Sequence, residues 1–178
     1  PLAHASGIGE AAPVERGGPR WSNPGGCQFM IDVEALLAAV SESEPTGPNR
    51  EYDLPFGELE RLAQAKPEQE MGTTIIQGEE PNWKDVLARA TEMLGTTKDL
   101  RPALHATRAS FRLFGFAGLE RGLALLLGLV ERYWDDVHPR LDPDDDYDPT
   151  LRVNLLGELA DQGTMLAWCS SSVRIISS

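Results

Sequence analysis

The chain has little of what marks a protein for cross-linking, metal capture or nucleic-acid binding. Of its 178 residues only two are cysteine, Cys27 and Cys169, near opposite ends. Two are too few for a disulfide scaffold, and neither belongs to a Cys-x-x-Cys pair that would suggest zinc or redox chemistry. A reducing compartment is therefore expected. Basic residues are scarce: 16 lysines and arginines stand against 28 aspartates and glutamates, a net charge of −12. Duplex DNA or RNA needs a basic footprint to meet its phosphates, so nucleic acid is not an expected partner. The same charge argues against an anionic membrane surface. No uninterrupted apolar run approaches the ~18 residues that span a bilayer. The longest, Gly122-Leu-Ala-Leu-Leu-Leu-Gly-Leu-Val130, is short and lies deep in the chain. No membrane insertion is expected, and no basic-then-apolar leader marks a signal peptide. What is present is 41% hydrophobic residues. That is enough for one core, and the composition predicts one soluble, acidic, cytoplasmic domain.

Residues 1–29 differ from the rest of the chain. They are rich in glycine and proline and carry no apolar period. Such a stretch reads as a leader or linker outside the functional fold, with Met30 as a natural start. From Met30 the pattern is helical. Ile31, Leu36, Leu37 and Val40 mark a short helix that Glu44-Pro-Thr-Gly-Pro48 ends. Asp53 reads as the N-cap of a second helix, with Phe56, Leu59, Leu62 and Ala63 on its stripe. Residues 68–81 read as a loop with a short extended piece. Asn82 caps a third helix bearing Trp83, Val86, Leu87, Ala90 and Leu94. A fourth opens at Thr97 or Asp99 and stops at Gly115. The most apolar helix, 118–134, comes next, with Leu119, Leu123, Leu126, Leu127 and Val130 inward. Being apolar on most sides, it is expected in the middle of the bundle. A further helix starts at Pro149, and residues 161–178 form a tail or the start of a linker. The fold predicted is all-α, a compact bundle of about six helices over residues 30–160 with an irregular leader and tail.

The most conspicuous feature is the acidic stretch 135–148. It holds Asp135, Asp136, Asp142, Asp144, Asp145, Asp146 and Asp148 against Arg140, half of the chain's net charge. Asp142, Asp144, Asp146 and Asp148 alternate like the first half of a calcium-binding EF-hand loop. The match then fails, because Tyr147 stands where that loop needs glycine and Val153 where it needs a bidentate glutamate. The remaining readings are a solvated turn with Asp148 capping the next helix, and an acidic surface for a basic protein partner. His138 beside Asp135 and Asp136 invites a catalytic pairing, and the alternative function is a small metal-dependent enzyme or a calcium-binding module using the acidic loop 135–148. No nucleophile motif accompanies it, so His138 reads as a structural residue and no catalytic, cofactor or metal site is assigned. Arg101, Arg108 and Arg112 form a row on one helix, fit for snorkelling and pairing with acidic loops. The glycines of Gly115-Phe-Ala-Gly-Leu-Glu-Arg-Gly122 come after no strand and lack the Gly-Lys-Ser/Thr ending of a phosphate loop. They read as a tight helix–helix turn with close packing.

Five blocks resemble one known family. Pro45-Thr-Gly-Pro-Asn-Arg-Glu-Tyr-Asp-Leu-Pro-Phe56 is similar to the opening of the ImpA amino-terminal domain, although Pro48, Glu51 and Leu54 vary its pattern. Asn82-Trp83-Lys-Asp-Val86, Thr97-Lys-Asp-Leu-Arg101, the glycine segment from Gly115 with Tyr133-Trp-Asp-Asp-Val-His-Pro139, and Asp148-Pro-Thr-Leu-Arg-Val-Asn154 resemble its later blocks in order. This domain belongs to the TssA component of bacterial type VI secretion systems. The resemblance implies a cytoplasmic, non-enzymatic assembly factor without cofactor. It would bind baseplate, sheath or tube proteins during tail assembly, with self-association possible in the family. It implies fold-holding roles for Trp83, Asp99, Trp134, His138 and Arg152. Asp99 is expected to cap its helix, Arg152 to pair with the acidic loop, and Trp83, Leu100, Leu123 and Trp134 to sit in the core. The expected partner surface is the acidic loop, Asp142, Asp144, Asp145, Asp146 and Asp148, or an exposed apolar groove.

Overall fold

A computed structural model describes residues 30–65, 69–71, 74–76 and 78–160. The expectations for the leader 1–29 and the tail 161–178 lie outside the described residues. Five α-helices appear: α1 Val33–Leu37, α2 Leu54–Ala63, α3 Trp83–Leu94, α4 Leu100–Tyr133 and α5 Thr150–Gly157. A small antiparallel hairpin, β1 Gln69–Met71 with β2 Thr74–Ile76, sits where a loop with an extended piece was expected. Among the described residues the domain is all-α apart from this hairpin.

The helix ends obey local chemistry. Asp32 accepts from Ala35 N and opens α1; Asn82 accepts from Lys84 N and opens α3. Such caps satisfy amide donors that the first turn leaves orphaned. Asp53 occupies the N-cap position of α2 but makes no capping bond. Its carboxylate turns instead to Arg50, 3.3 Å away. α1 is shorter than expected. It ends at Leu37, and Val40 N bonds Pro45 O at 2.9 Å, so Val40 belongs to the turn and not to the helix.

The count of about six helices is recovered once α4 is divided at Gly115. That residue has φ 62° and ψ −143°, outside the helical region. Glycine reaches positive φ without steric cost. The chain reverses there, so segments 100–114 and 116–133 form an antiparallel helical hairpin. The reversal is proved at the far end, where His138 N bonds Lys98 O and Leu100 N bonds His138 O, both at 2.9 Å. Glycine lets the two arms approach closely. A Cβ on Gly122 would lie 2.7 Å from Thr107 Cα, and one on Gly128 would strike the Leu37 side chain of α1.

This glycine-lined contact corrects the expected burial of the second arm. Gly118, Gly122, Leu125, Leu126, Gly128 and Leu129 are buried, whereas Leu123 and Leu127 are exposed. The arm is not in the middle of the bundle. Because it is apolar all round, its periodicity does not select a face; the close approach of the first arm does. By length and composition α4 would pass for a membrane span, yet Gly115 breaks it into the two arms of a folded-back hairpin.

The core is continuous across α1–α4. Leu37, Leu59, Val86, Ala90, Leu94, Leu100, Leu125 and Leu129 are among its buried members. A row of cations on the first arm ties the outer elements to this core. Arg101 meets Glu51 at 3.2 Å, His105 meets Glu60 at 3.1 Å, and Arg108 meets Glu158 at 2.6 Å. Arg112 pairs with Glu80. These partners lie before α2, on α2, before α3 and after α5. Not one belongs to the acidic stretch 135–148. The hydrogen bond from His105 is the main cause holding the Glu60 carboxyl below the usual carboxylate range.

These contacts carry two predictions. Gly122→Ala forces a methyl into the Thr107 backbone and is expected to cost about 1–3 kcal/mol of stability. Gly57→Ala, mid-helix in α2 with nothing within 4 Å of the added carbon, is expected to gain about 0.5–1 kcal/mol. Urea denaturation of both variants decides whether close approach, rather than helix propensity, retains Gly122. The second prediction concerns pH. A depressed folded pKa at Glu60 adds stability that is present above the unfolded value, about 4.3, and is lost as pH falls through the folded value. Glu60→Gln should therefore be less stable than the wild type at pH 7. Urea midpoints measured from pH 7 to pH 3 should converge at the acid end.

Candidate functional site

Four of the blocks that carry the family resemblance meet at one end of the bundle. The turn 45–48 crosses the segment 97–99, which lies against the turn 134–139, and Arg152 closes the group from α5. Thr46, Thr97, Lys98, Asp99, His138 and Arg152 are all buried there. Buried polar groups are costly unless hydrogen-bonded, and most of these are bonded within the junction, Thr46 Oγ1 and His138 Nδ1 being the exceptions.

Gly47 has φ +68°, and a Cβ would lie 2.5 Å from Thr96 O. Only glycine fits both conditions. The turn it makes presents three carbonyls to the neighbouring segment. Lys98 N bonds Thr46 O at 2.6 Å, His138 Nε2 donates to Gly47 O at 3.0 Å, and Thr97 Oγ1 donates to Pro48 O at 2.8 Å. Asp99 accepts from Arg101 N at 2.9 Å, capping α4, and from the Arg101 guanidinium at 2.8 Å. Lys98 Nζ donates to Leu94 O at 2.8 Å, and burial pushes the pKa of its ammonium down.

Arg152 corrects an expectation. It does not pair with the acidic loop. Its Nε donates to Pro139 O at 2.8 Å, Nη2 to Val137 O at 2.6 Å, and Nη1 to Trp134 O. The C-terminus of α4 leaves carbonyls without helical partners, and a planar guanidinium offers donors fixed in a fork that fits such a turn. Burial pushes its pKa down, and Asp135 partly offsets this. The guanidinium lies 5.0 Å from the Trp134 ring centre. Trp134 is itself at the surface and not in the core, which corrects a second expectation, as exposed Leu123 corrects a third. Leu100 is buried, and Trp83 packs against the core from the side.

His138 is held for structure. Its Nε2 and both backbone groups are bonded within the junction, while Asp135 and Asp136 are exposed and make no bond to it. The carboxylate–imidazole pairing needed for acid–base chemistry is not formed. The acidic loop is likewise built by its own caps. Asp142 accepts from Asp144 N at 2.8 Å, and Asp148 accepts from Thr150 N at 2.8 Å and from its hydroxyl at 2.6 Å. These bonds hold the Asp148 carboxyl below its usual range. Asp142 and Asp148 are thus occupied at opposite ends, and among the described residues no group of three or more His, Cys, Asp or Glu is placed to hold a metal ion. Asp144, Asp145 and Asp146 point into solvent from a short turn.

Sequence reasoning missed Thr46, Gly47, Thr97 and Lys98 as a cluster. The one available signal was Pro-Thr-Gly-Pro, whose glycine between prolines marks a turn needing positive φ. Nothing in the sequence brings that turn to Lys98 and His138.

The junction makes one strong prediction. Arg152→Met keeps much of the side chain's apolar stem but leaves three turn carbonyls without their donor, at a cost of about 1–3 kcal/mol for each buried group left unsatisfied. The variant should lose at least ~3 kcal/mol, and Arg152→Lys should recover little because an ammonium lacks the fork. Asp144→Asn should stay within about 0.5 kcal/mol of the wild type. Equal urea midpoints for Arg152→Met and Asp144→Asn would overturn the role given to Arg152.

Residues 37–161 match the family described as ImpA, N-terminal, type VI secretion system. The chain is 47% identical over 146 residues to the type VI secretion system component TssA1 of Pseudomonas aeruginosa, covering 82% of this chain and 42% of that protein. Its fold is similar to a solved N-terminal domain that includes the conserved ImpA_N region of the TssA component from Burkholderia cenocepacia. The TM-score is 0.61 at 31% identity, covering 76% of this chain and 49% of that one. The chain thus spans less than half the length of each of these relatives. With four of the five blocks that suggested the resemblance gathered into one junction and the family match running through all five, the chain belongs to the ImpA amino-terminal family of the type VI secretion system.

Proposed function

We propose that the chain is a non-enzymatic assembly module of a bacterial type VI secretion system. It works in the cytoplasm and binds baseplate, sheath or tube proteins while the tail is built. The observation that supports this reading most directly is how the polar groups are used. The buried ones, Asp99, Lys98, His138 and Arg152, bond the domain's own backbone, and the displayed ones, Asp144, Asp145 and Asp146, face solvent. A set of this kind is suited to presenting a rigid charged surface. Carboxylates on such a surface steer encounter with a basic partner and fix its orientation.

The test is a binding measurement against purified sheath and baseplate subunits over a range of salt. The triple variant Asp144→Asn/Asp145→Asn/Asp146→Asn is expected to bind about 3–10-fold more weakly, with a shallower salt dependence. Unaltered binding removes the loop from the interface. Failure of the wild type to bind any secretion subunit removes the assembly reading itself.

A further inference from the structure

The second arm of the α4 hairpin carries an apolar face that is only partly covered: Phe116 meets the Phe111 ring and Trp134 the Arg152 guanidinium at its two ends. Phe116, Leu123, Leu127 and Trp134 are 47%, 43%, 57% and 38% exposed. At 100° per residue they fall within about 20° of one line, over a length of about 27 Å. Single exposed leucines are ordinary, but four large apolar side chains on one line mark a contact surface.

The charges around the line say what fits it. Glu120 and Glu131 lie about 40–60° to one side, on the exposed flank. The cations of this arm, Arg121 and Arg132, lie about 140–160° away, and Arg132 reaches Glu34 in the first turn of α1 at 3.4 Å. Asp135 and Asp136 are exposed just beyond Trp134. The face is therefore an apolar stripe with an acidic border. We infer that it is a docking site for an amphipathic helix of another protein, one with an apolar stripe and a lysine- or arginine-rich flank. Helix-on-helix recognition of this kind takes its affinity from the apolar anchors and its orientation from the flanking charges. A second copy of the chain fits less well. Antiparallel pairing on the same stripe brings Glu120 of one copy beside Glu131 of the other, and like charges repel. An anionic lipid surface meets the same glutamates.

The inference rests on reading the chain as a binding module, but it concerns a surface separate from the loop 142–148. Its test uses the 178-residue chain and two labelled synthetic peptides of about 18 residues. Both have leucines at i, i+3, i+4 and i+7, flanked by lysine in one peptide and by glutamate in the other. Fluorescence anisotropy should show the leucine–lysine peptide binding at least about 10-fold more tightly than the leucine–glutamate peptide. Leu123→Gln/Leu127→Gln should weaken that binding about 10-fold or more. Glu120→Lys/Glu131→Lys should reverse the preference between the peptides. Far-UV circular dichroism checks that the exposed leucines are not needed for folding. If they are, the charge-reversal variant decides alone.

Asp144→Asn/Asp145→Asn/Asp146→Asn should leave peptide binding unchanged. Loss of peptide binding in that variant, with the stripe variants unaffected, assigns the peptide to the loop and overturns the stripe. So does a wild-type dimer in sedimentation that Leu123→Gln/Leu127→Gln dissociates, or flotation with phosphatidylcholine vesicles that the same variant abolishes. Failure to bind secretion subunits, with peptide binding intact, would remove the proposed function and leave this surface standing.

Discussion

The fold is closed by one side chain. Arg152 enters from α5, is buried, and donates to the carbonyls of Trp134, Val137 and Pro139. Those carbonyls belong to the turn that ends the α4 hairpin. The same turn carries His138, whose ring reaches Gly47 and whose backbone pairs with Lys98 and Leu100. Position that turn and four separate stretches of sequence are fixed at once. A guanidinium can do this where a carboxylate-bound cation could not, because its donors face several acceptors in one plane. The cost is the desolvation of a charge, which shows in the lowered pKa of Arg152. Three carbonyls satisfied together offset that cost, and removal of the cation would expose all of them as defects.

The second constraint is the reversal at Gly115. It converts a 34-residue helical stretch into two arms, and the small residues of the second arm decide which face goes inward. Gly118 and Gly122 meet the backbone of the first arm, so Leu123 and Leu127, on the opposite face, are turned outward. Close packing therefore buries a face lined partly by glycine and leaves Leu123 and Leu127 on the surface. That is an unusual use of apolar residues for a domain core, and it is a consequence of geometry, since a bulkier inward face would separate the arms.

Much of this was legible beforehand. Asn82 and Asp99 were readable as caps because a short polar side chain before an apolar period has one good use. Gly115 was readable as a tight turn with close packing for the same kind of local reason. What escaped was long-range. Sequence pairs Arg152 with the nearest acidic loop, since it shows charge but not which backbone carbonyls are left orphaned. Leu123, Leu127 and Trp134 were placed inward, since an arm apolar on all sides has no period to choose a face. Asp53 was given a capping bond that Arg50 takes instead. Each error arises where a partner distant in sequence, or a competing neighbour, outweighs a sound local preference.

The two surfaces left over differ in kind. The acidic loop is a rigid turn whose end carboxylates, Asp142 and Asp148, are used to hold it, so that the three between them are displayed. Its attraction for a partner is electrostatic, reaches over about a Debye length and weakens with salt. The α4 stripe is apolar and acts only on contact. Both are anchored to the same junction, because Trp134 ends the stripe and stacks over Arg152, which is bounded in sequence by the loop's last cap. A partner attracted by the loop would thus arrive beside an apolar face that needs covering. Charge would set the rate of that encounter and apolar burial its lifetime.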